Sequence, residues 1–306
     1  MIYVYDDPSK WGREVAMACG RAGVPIKFFT YPQDVPAGAV AWVRLDQYKD
    51  PRDTSKAVVE MLARKGVRVL PSLEDAKLYD DKIAQWEKLS RFMPETHVLY
   101  SDREAKHILN KLTLPFVSKA STGANSANVR LVRTKNEANK EIALAFSGRG
   151  IPISYGRKQK GYLLWQRFVE GNPHDYRVVL IGDYGRGLVR QNRPDVPFAS
   201  GSGVNQPLTL ETEIERKVYD FAWQIKDELG TEFLALDIVV DKDQPLLLEV
   251  TWSWTIGRWV TAPVFDRAGN RTPYTMGWQW DHIAWVLKRM MEETNGETTG
   301  HGVAQE

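Results

Sequence analysis

The 306-residue chain carries 41 Lys and Arg against 39 Asp and Glu, a net charge of +2, so no overall field draws it to nucleic acid. Its 43% hydrophobic and 26% charged residues are the balance of an ordinary globular protein, no apolar run reaches the length of a membrane span, and the opening MIYVYDDPSK lacks the pattern of a signal peptide. A single cysteine, Cys19, excludes a disulfide framework and a thiolate metal site, and within a helical segment it reads as a buried structural thiol. A cytoplasmic protein is expected.

Residues 1–71 read as a small α/β unit. Ile2 to Tyr5, Ile26 to Tyr31, Val40 to Leu45 and Val67 to Leu70 are β-rich runs. Between them, Trp11, Val15, Ala18 and Ala22, and later Val58, Met61 and Leu62, repeat at helical spacing. Strands alternating with helices predict a parallel sheet. The segment is too poor in glycine for a dinucleotide fingerprint.

Pro71 to Glu74 marks a boundary, and residues 72–165 form the next predicted unit. Asp81-Lys82 opens a helix, and Pro94-Glu95-Thr96 leads into a strand. A helix over 102–112 follows. Strands at 115–119 and 128–132 then flank a small-residue loop containing Ser121, Gly123 and Ser126. Loops of this composition let backbone N–H groups close over phosphate oxygens. A helix over 135–146 and a basic, glycine-containing stretch over 148–161 complete this unit.

Residues 166–293 form the third predicted unit. The run YLLWQRFVEGNPHDYRVVLIG reads as strand, turn and strand. A strand over 184–192 bears Arg186 and Arg190, with Arg193 just beyond, and FASGSGVNQPL is predicted to be a loop. A helix over 211–229 is amphipathic through Ile214, Val218, Phe221, Ala222 and Ile225. Next comes FLALDIVVDKDQPLLLEVTW, two apolar strands about the turn Asp241 to Gln244. Counting outward from that turn sets Asp237 opposite Glu249 or Leu248. Opposed carboxylates on neighbouring strands repel unless a cation lies between them, and Mg²⁺ takes one or two carboxylates plus substrate phosphates. The same spacing is also that of two acids on a solvated face.

In this order the motifs of residues 72–257 resemble the ATP-grasp superfamily, in particular the ribosomal-protein glutamate-ligase and D-alanine–D-alanine ligase type. The resemblance implies an α+β fold with an N-terminal parallel-sheet domain and two subdomains gripping ATP. It assigns Lys82 and Lys119 to the nucleotide phosphates and Ser121, Gly123 and Ser126 to the flap. Gln166, Arg167, Phe168 and Val169 become the adenine hinge, Asp175 the ribose acid (with Glu170 as substitute), and Asp237, Glu249 and Thr251 the ligands of one or two Mg²⁺. Arg177 and Arg190 fall beside the transferring phosphoryl group, with Asn205 adding a polar contact. The sequence departs from the family pattern at three positions: Asn128 for a Gly, Arg167 for an acid and Thr251 for an Asn. The implied activity is ATP-dependent ligation of a carboxylate to an amine or other nucleophile through an acylphosphate, releasing ADP and phosphate, in a chain whose relatives are commonly homodimers.

Six of the eleven tryptophans fall between Trp252 and Trp285. Two readings stand open: strand residues packing on the sheet, or a stacking platform for a bulky or aromatic acceptor helped by Arg258 and Arg267. Two further functions compete with the ligase. One is an ATP-binding module that has lost catalysis and binds through its Trp-rich end. The other, disfavoured by the balanced charge, is a nucleic-acid binder using that end and the basic run 157–160. Residues 281–293 read as a helix and 294–306 as a disordered tail.

Overall fold

The structure is a computed structural model that describes residues 1–6, 11–46, 54–123, 128–193, 196–254, 262–273 and 277–300. Strands β1 (Ile2–Tyr5), β2 (Ile26–Phe29), β3 (Val40–Trp42) and β4 (Arg68–Leu70) form an all-parallel sheet in the order β2-β1-β3-β4. Helices α1 (Trp11–Arg21) and α2 (Thr54–Arg64) supply the crossovers. Cys19 is buried in α1, and burial pushes its thiol up to about 11, so it is an inert core residue. Two short helices follow, α3 (Leu73–Leu78) and α4 (Lys82–Leu89). Ser72 and Asp75 form a reciprocal capping box on α3, and the Asp81 carboxylate accepts from the N–H groups of Ile83 and Ala84 on α4. Each such cap is worth about 1 kcal/mol.

The second sheet has the order β5-β10-β6-β7. It comprises β5 (Thr96–Leu99), β6 (Phe116–Lys119), β7 (Val129–Val132) and β10 (Leu163–Arg167). Helices α5 (Asp102–Leu109) and α6 (Lys135–Ala145) belong to this part of the chain, and a small ribbon of β8 (Ile151–Pro152) and β9 (Lys158–Gln159) lies between α6 and β10. This sheet has its own apolar core, centred on Phe116 and Trp165 with ring centroids 4.7 Å apart.

The third sheet is antiparallel and follows the path β15-β14-β11-β12-β16-β17, with β13 paired to β12. Its strands are β11 (His174–Ile181), β12 (Tyr184–Arg193), β13 (Val196–Pro207), β14 (Phe233–Asp241), β15 (Gln244–Thr251), β16 (Val264–Asp266) and β17 (Arg271–Thr272). Helix α7 (Glu213–Leu229) packs on β11, β14 and β15, buries Val218, Ala222 and Ile225, and ends on Gly230 in the left-handed region. Helix α8 (Trp278–Gly300) closes the described chain. Among the described residues no helix is long and apolar enough to cross a membrane.

Two sequence expectations need correction. The segment expected as a loop after Arg193 is strand β13, paired to β12 with register shifts beside Asn192. Its Gly and Ser residues have poor strand propensity, but the backbone ladder to β12 supplies what side chains do not. The terminal helix also continues past Glu293 to Gly300, where a disordered tail was expected. Arg68 ties the helix at the point where the extension begins, donating to Met290 O, Thr294 Oγ1 and Glu293 Oε2 at 2.9, 3.1 and 2.8 Å.

The Trp-rich end resolves in favour of packing. Trp252, Trp254, Trp278 and Trp280 are buried, and only Trp285 of the described five is exposed. Trp11 of α1 meets Trp254 and Trp280 edge-on at 5.2 and 5.0 Å and stacks on Trp42 at 6.5 Å, while Trp42 meets Phe233 at 5.4 Å. These rings weld the first sheet, α8 and the third sheet into one continuous core. Arg267 pairs with Asp227 and covers the Trp223 ring at 5.2 Å, so it is a surface brace. Arg258 and Trp259 lie outside the described residues.

Candidate functional site

A small, narrow cleft lies between the second and third sheets, lined by Lys82, Gln85, Trp86, Met93, Thr96, Lys119, Leu164, Gln166 and Leu248. Three residues on opposite sides of it converge: Lys82 at the start of α4, Lys119 at the end of β6, and Glu249 on β15.

The hairpin β14–β15 places the acid. Lys242 and Asp243, both at positive φ, make its two-residue turn, the geometry that matches strand twist. Asp237 then pairs with Glu249, and Leu248 is the extra residue of a bulge that turns it toward the cleft. Gln85, fully buried on α4, locks this register from outside: its side-chain amide donates to Val250 O at 2.9 Å and accepts from Val250 N at 3.1 Å. Lys82, three residues earlier on the same helix, is thereby held against the Glu249 carboxylate, 3.0 Å away.

The pKa values of the two lysines are shifted in opposite directions. Burial opposes the charge on Lys82, but Glu249 and Asp80 outweigh it and its pKa is raised. Lys119 donates to the neutral Gln166 Oε1 at 2.6 Å. Burial lowers its pKa to about 8, with Lys82 adding to the effect against the pull of Glu249 and Asp237.

Across the third sheet runs a row of ion pairs fixed by strand register. Arg190 lies opposite Asp175 and Arg177 opposite Asp237, and Glu249, the next residue across from Asp237, pairs with Lys82 of α4. Arg190 grips Asp175 through Nε and Nη2, both at 2.7 Å, and its Nη2 also reaches Asp237 at 3.0 Å. Arg177 grips Asp237 through Nε at 2.6 Å and Nη2 at 2.7 Å. Burial would raise the Asp237 pKa, but Arg177 and Arg190 outweigh it and hold the carboxyl far below the usual range. Asn205 lies opposite Arg190 on β13. Arg186, on the same strand, is buried over the Trp278 ring at 4.7 Å, outside this row.

The expected hinge and flap are more tied down than the sequence suggests. Gln166 is buried and donates to Thr96 Oγ1 at 2.8 Å. The Arg167 N–H donates to Glu95 O, and its guanidinium reaches Asp241 at 2.8 Å, while Phe168 and Val169 follow the end of β10. Asp175 is engaged by Arg190, and Glu170 is exposed. In the flap, Ser121 N–H donates to Tyr162 Oη, Ser121 Oγ donates to Asp81, and Gly123 N–H donates to Asp80 at 2.7 Å. Asn128 stitches the flap's far end, donating to Thr122 O and accepting from Ser154 N and Oγ. Ser126 lies outside the described residues. Thr251 Oγ1 turns back on its own strand end, donating to Ser253 O and accepting from Ser253 N.

For a hard divalent cation the donors fit unequally. Glu249 is a half-buried carboxylate oxygen donor beside the cleft. At Asp237, three hydrogen bonds from two guanidiniums occupy the oxygens, and a dication there would face two positive charges. Among the described residues no group of three or more His, Cys, Asp or Glu side chains is arranged to hold a metal. Sequence reasoning missed Asp80, Gln85, Trp86 and Tyr162. The Asp80-Asp81 doublet before Lys82 was the one local signal.

No family model matches the chain. The alpha-aminoadipate–LysW ligase LysX of Sulfurisphaera tokodaii is 28% identical over 159 residues, and the match spans about half of each protein, 51% of this chain and 52% of LysX. Among solved structures, the chain superposes on the ATP-grasp RimK domain protein of Sphaerobacter thermophilus with a TM-score of 0.55 at 18% identity, covering 82% of this chain and 90% of the other. The D-alanine–D-alanine ligase of Bacillus anthracis matches at 0.58 and 15% over 97% of both chains. The ATP-grasp ligase PsnB, solved with a minimal precursor, Mg and ADP, matches at 0.59 and 14% over 95% and 98%. The parallel sheet followed by two sheets enclosing a cleft is thus an architecture shared with these ATP-grasp structures, and the chain has the ATP-grasp fold.

Proposed function

We propose that the chain is an ATP-dependent ligase that joins a carboxylate to an amine or related nucleophile. The observation that carries this reading is that Lys82 and Lys119 line one cleft between two sheets with Glu249 beside it, paired to Lys82. Two buried cations beside an acid suit a polyphosphate with its divalent ion, and an apolar surround of Trp86, Met93, Leu164 and Leu248 suits a base. The ligase names of the structural neighbours and of LysX support the same reading.

In this scheme Lys82 and Lys119 neutralise phosphate oxygens and orient the chain of phosphates along the cleft. The base lies against Trp86 and Leu248, with the backbone beyond Gln166 at its edge. A Mg²⁺ ion carried with the nucleotide supplies Lewis-acid neutralisation of the phosphates, and Glu249 would hold it. The carboxylate substrate attacks the γ-phosphorus, ADP departs, and the amine then displaces phosphate from the acyl carbon. Arg177 and Arg190, prealigned by Asp237 and Asp175, present fixed positive charge where negative charge develops. No protein nucleophile takes part.

The test is ADP release from MgATP by purified protein supplied with amino acids and a cell extract, with Glu249→Ala as control. Substrate-dependent ADP that vanishes in the variant supports the ligase. ATP binding without turnover for any fraction favours a module that has lost catalysis, and no ATP binding overturns the reading.

A further inference from the structure

We propose that Asp237 is a positioning residue for Arg177 and Arg190 and not a metal ligand, so that Glu249 alone among the acids of the third sheet holds the divalent cation. The inference rests on the nucleotide reading above.

The geometry leaves Asp237 little capacity for a metal. A carboxylate offers about four acceptor sites, and three are taken: Arg177 Nε at 2.6 Å on Oδ1, and Arg177 Nη2 at 2.7 Å and Arg190 Nη2 at 3.0 Å on Oδ2. A dication at the remaining site would lie against two guanidiniums that cannot deprotonate. Neither arginine can turn away without cost. Arg190 also holds both oxygens of Asp175, and the Asp175 and Arg190 side chains are only 10% and 13% exposed. Withdrawing Arg190 would strand a buried carboxylate. Arg177 is set directly opposite Asp237 by the β11–β14 register.

Glu249 contrasts on each point. Its partner Lys82 is a flexible ammonium, which also donates to Gly123 O at 2.9 Å and can transfer its bond to a phosphate. Its side chain is 27% exposed against 17% for Asp237. Thr251, on the same strand face, spends its hydroxyl on Ser253. One carboxylate completed by phosphate oxygens and water is a normal Mg²⁺ shell. The charge that a second ion would bring to the transfer centre is then supplied by two guanidiniums, each held by bidentate bonds.

The decisive experiment counts Mn²⁺ by electron paramagnetic resonance on the full chain saturated with ADP. The wild type is expected to bind one Mn²⁺ per chain. Asp237→Asn should keep Mn²⁺ affinity within about threefold while Glu249→Gln loses about 100-fold, the upper end of what losing a metal-site group costs. Asp237→Asn should also slow turnover and make Arg177 and Arg190 newly reactive to phenylglyoxal, read by mass spectrometry. Two Mn²⁺ ions in the wild type, or loss of Mn²⁺ in Asp237→Asn, would overturn the assignment, and a wild-type count of two overturns it even if the variant fails to fold. ADP that does not bind at any Mn²⁺ concentration overturns the nucleotide reading and this assignment with it, whereas ADP bound with the metal held through Asp237 overturns this assignment alone.

Discussion

The ion-paired row of the third sheet and the tryptophan cluster beneath it are built from residues that the sequence marks equally as unusual. The row holds its largely buried charges on one sheet, with Asp175 and Asp237 each matched to an arginine across a strand register. The cluster hides its rings between α1, β3, β14 and α8. A buried charge must find a partner and so leaves an address in the structure, whereas an aromatic ring is satisfied by any well-packed surface. Concentration of an unusual residue type therefore locates a core as readily as a site, and partnered charge beside open space is the better guide.

The two largest expected effects separate the regions. Arg190→Met should cost about 3–5 kcal/mol in urea unfolding because it strands Asp175, and the double variant with Asp175→Leu should recover much of that loss. Equal losses in the single and double variants would break the idea of a matched row. Trp42→Ala should also cost about 3–5 kcal/mol, yet the folded fraction should bind ATP as the wild type does in calorimetry. Weakened binding there would draw the cluster into the site.

A smaller effect sharpens the contrast between the two lysines. Lys119, with a pKa of about 8, is charged below that pH and neutral above it. ATP affinity should therefore fall as pH rises from 8 towards 10, by at most about tenfold per unit, and Lys119→Met should flatten the profile. Stability should move oppositely. The unfolded lysine keeps its proton to about pH 10.4, so between the two values the unfolded state binds more protons, and raising the pH favours the fold. An ATP affinity independent of pH in the wild type would remove Lys119 from the phosphate contacts.

The smallest effect concerns Arg167. Its pair with Asp241 has side chains 39% and 28% exposed, so Arg167→Ala should cost under about 1 kcal/mol and leave ATP affinity unchanged, since the backbone and not the side chain would meet the base. A tenfold affinity loss, measured by calorimetry, would give the guanidinium a place in the site.

Local patterns carried much of the architecture. The apolar spacing of α1, α2 and α7 and the turn at 241–244 are short-range features, and the turn count set Asp237 opposite Glu249 or Leu248, a choice that the bulge at Leu248 decided. Those depend on bonds between residues a few positions apart, which the order of residues dictates directly. Tertiary structure decided what each charge does. Arg177 meets Asp237 across 60 positions and Lys82 meets Glu249 across 167, and only the sheet register and the packing of α4 through Gln85 bring them within 3 Å. The same holds for β13, whose residues are poor strand formers and become a strand because β12 offers a ladder, and for the tryptophans, whose burial depends on a first sheet more than 200 residues away in the chain. Electrostatic and packing partners are chosen by distance in space, and that distance is not written in the neighbours of any single residue.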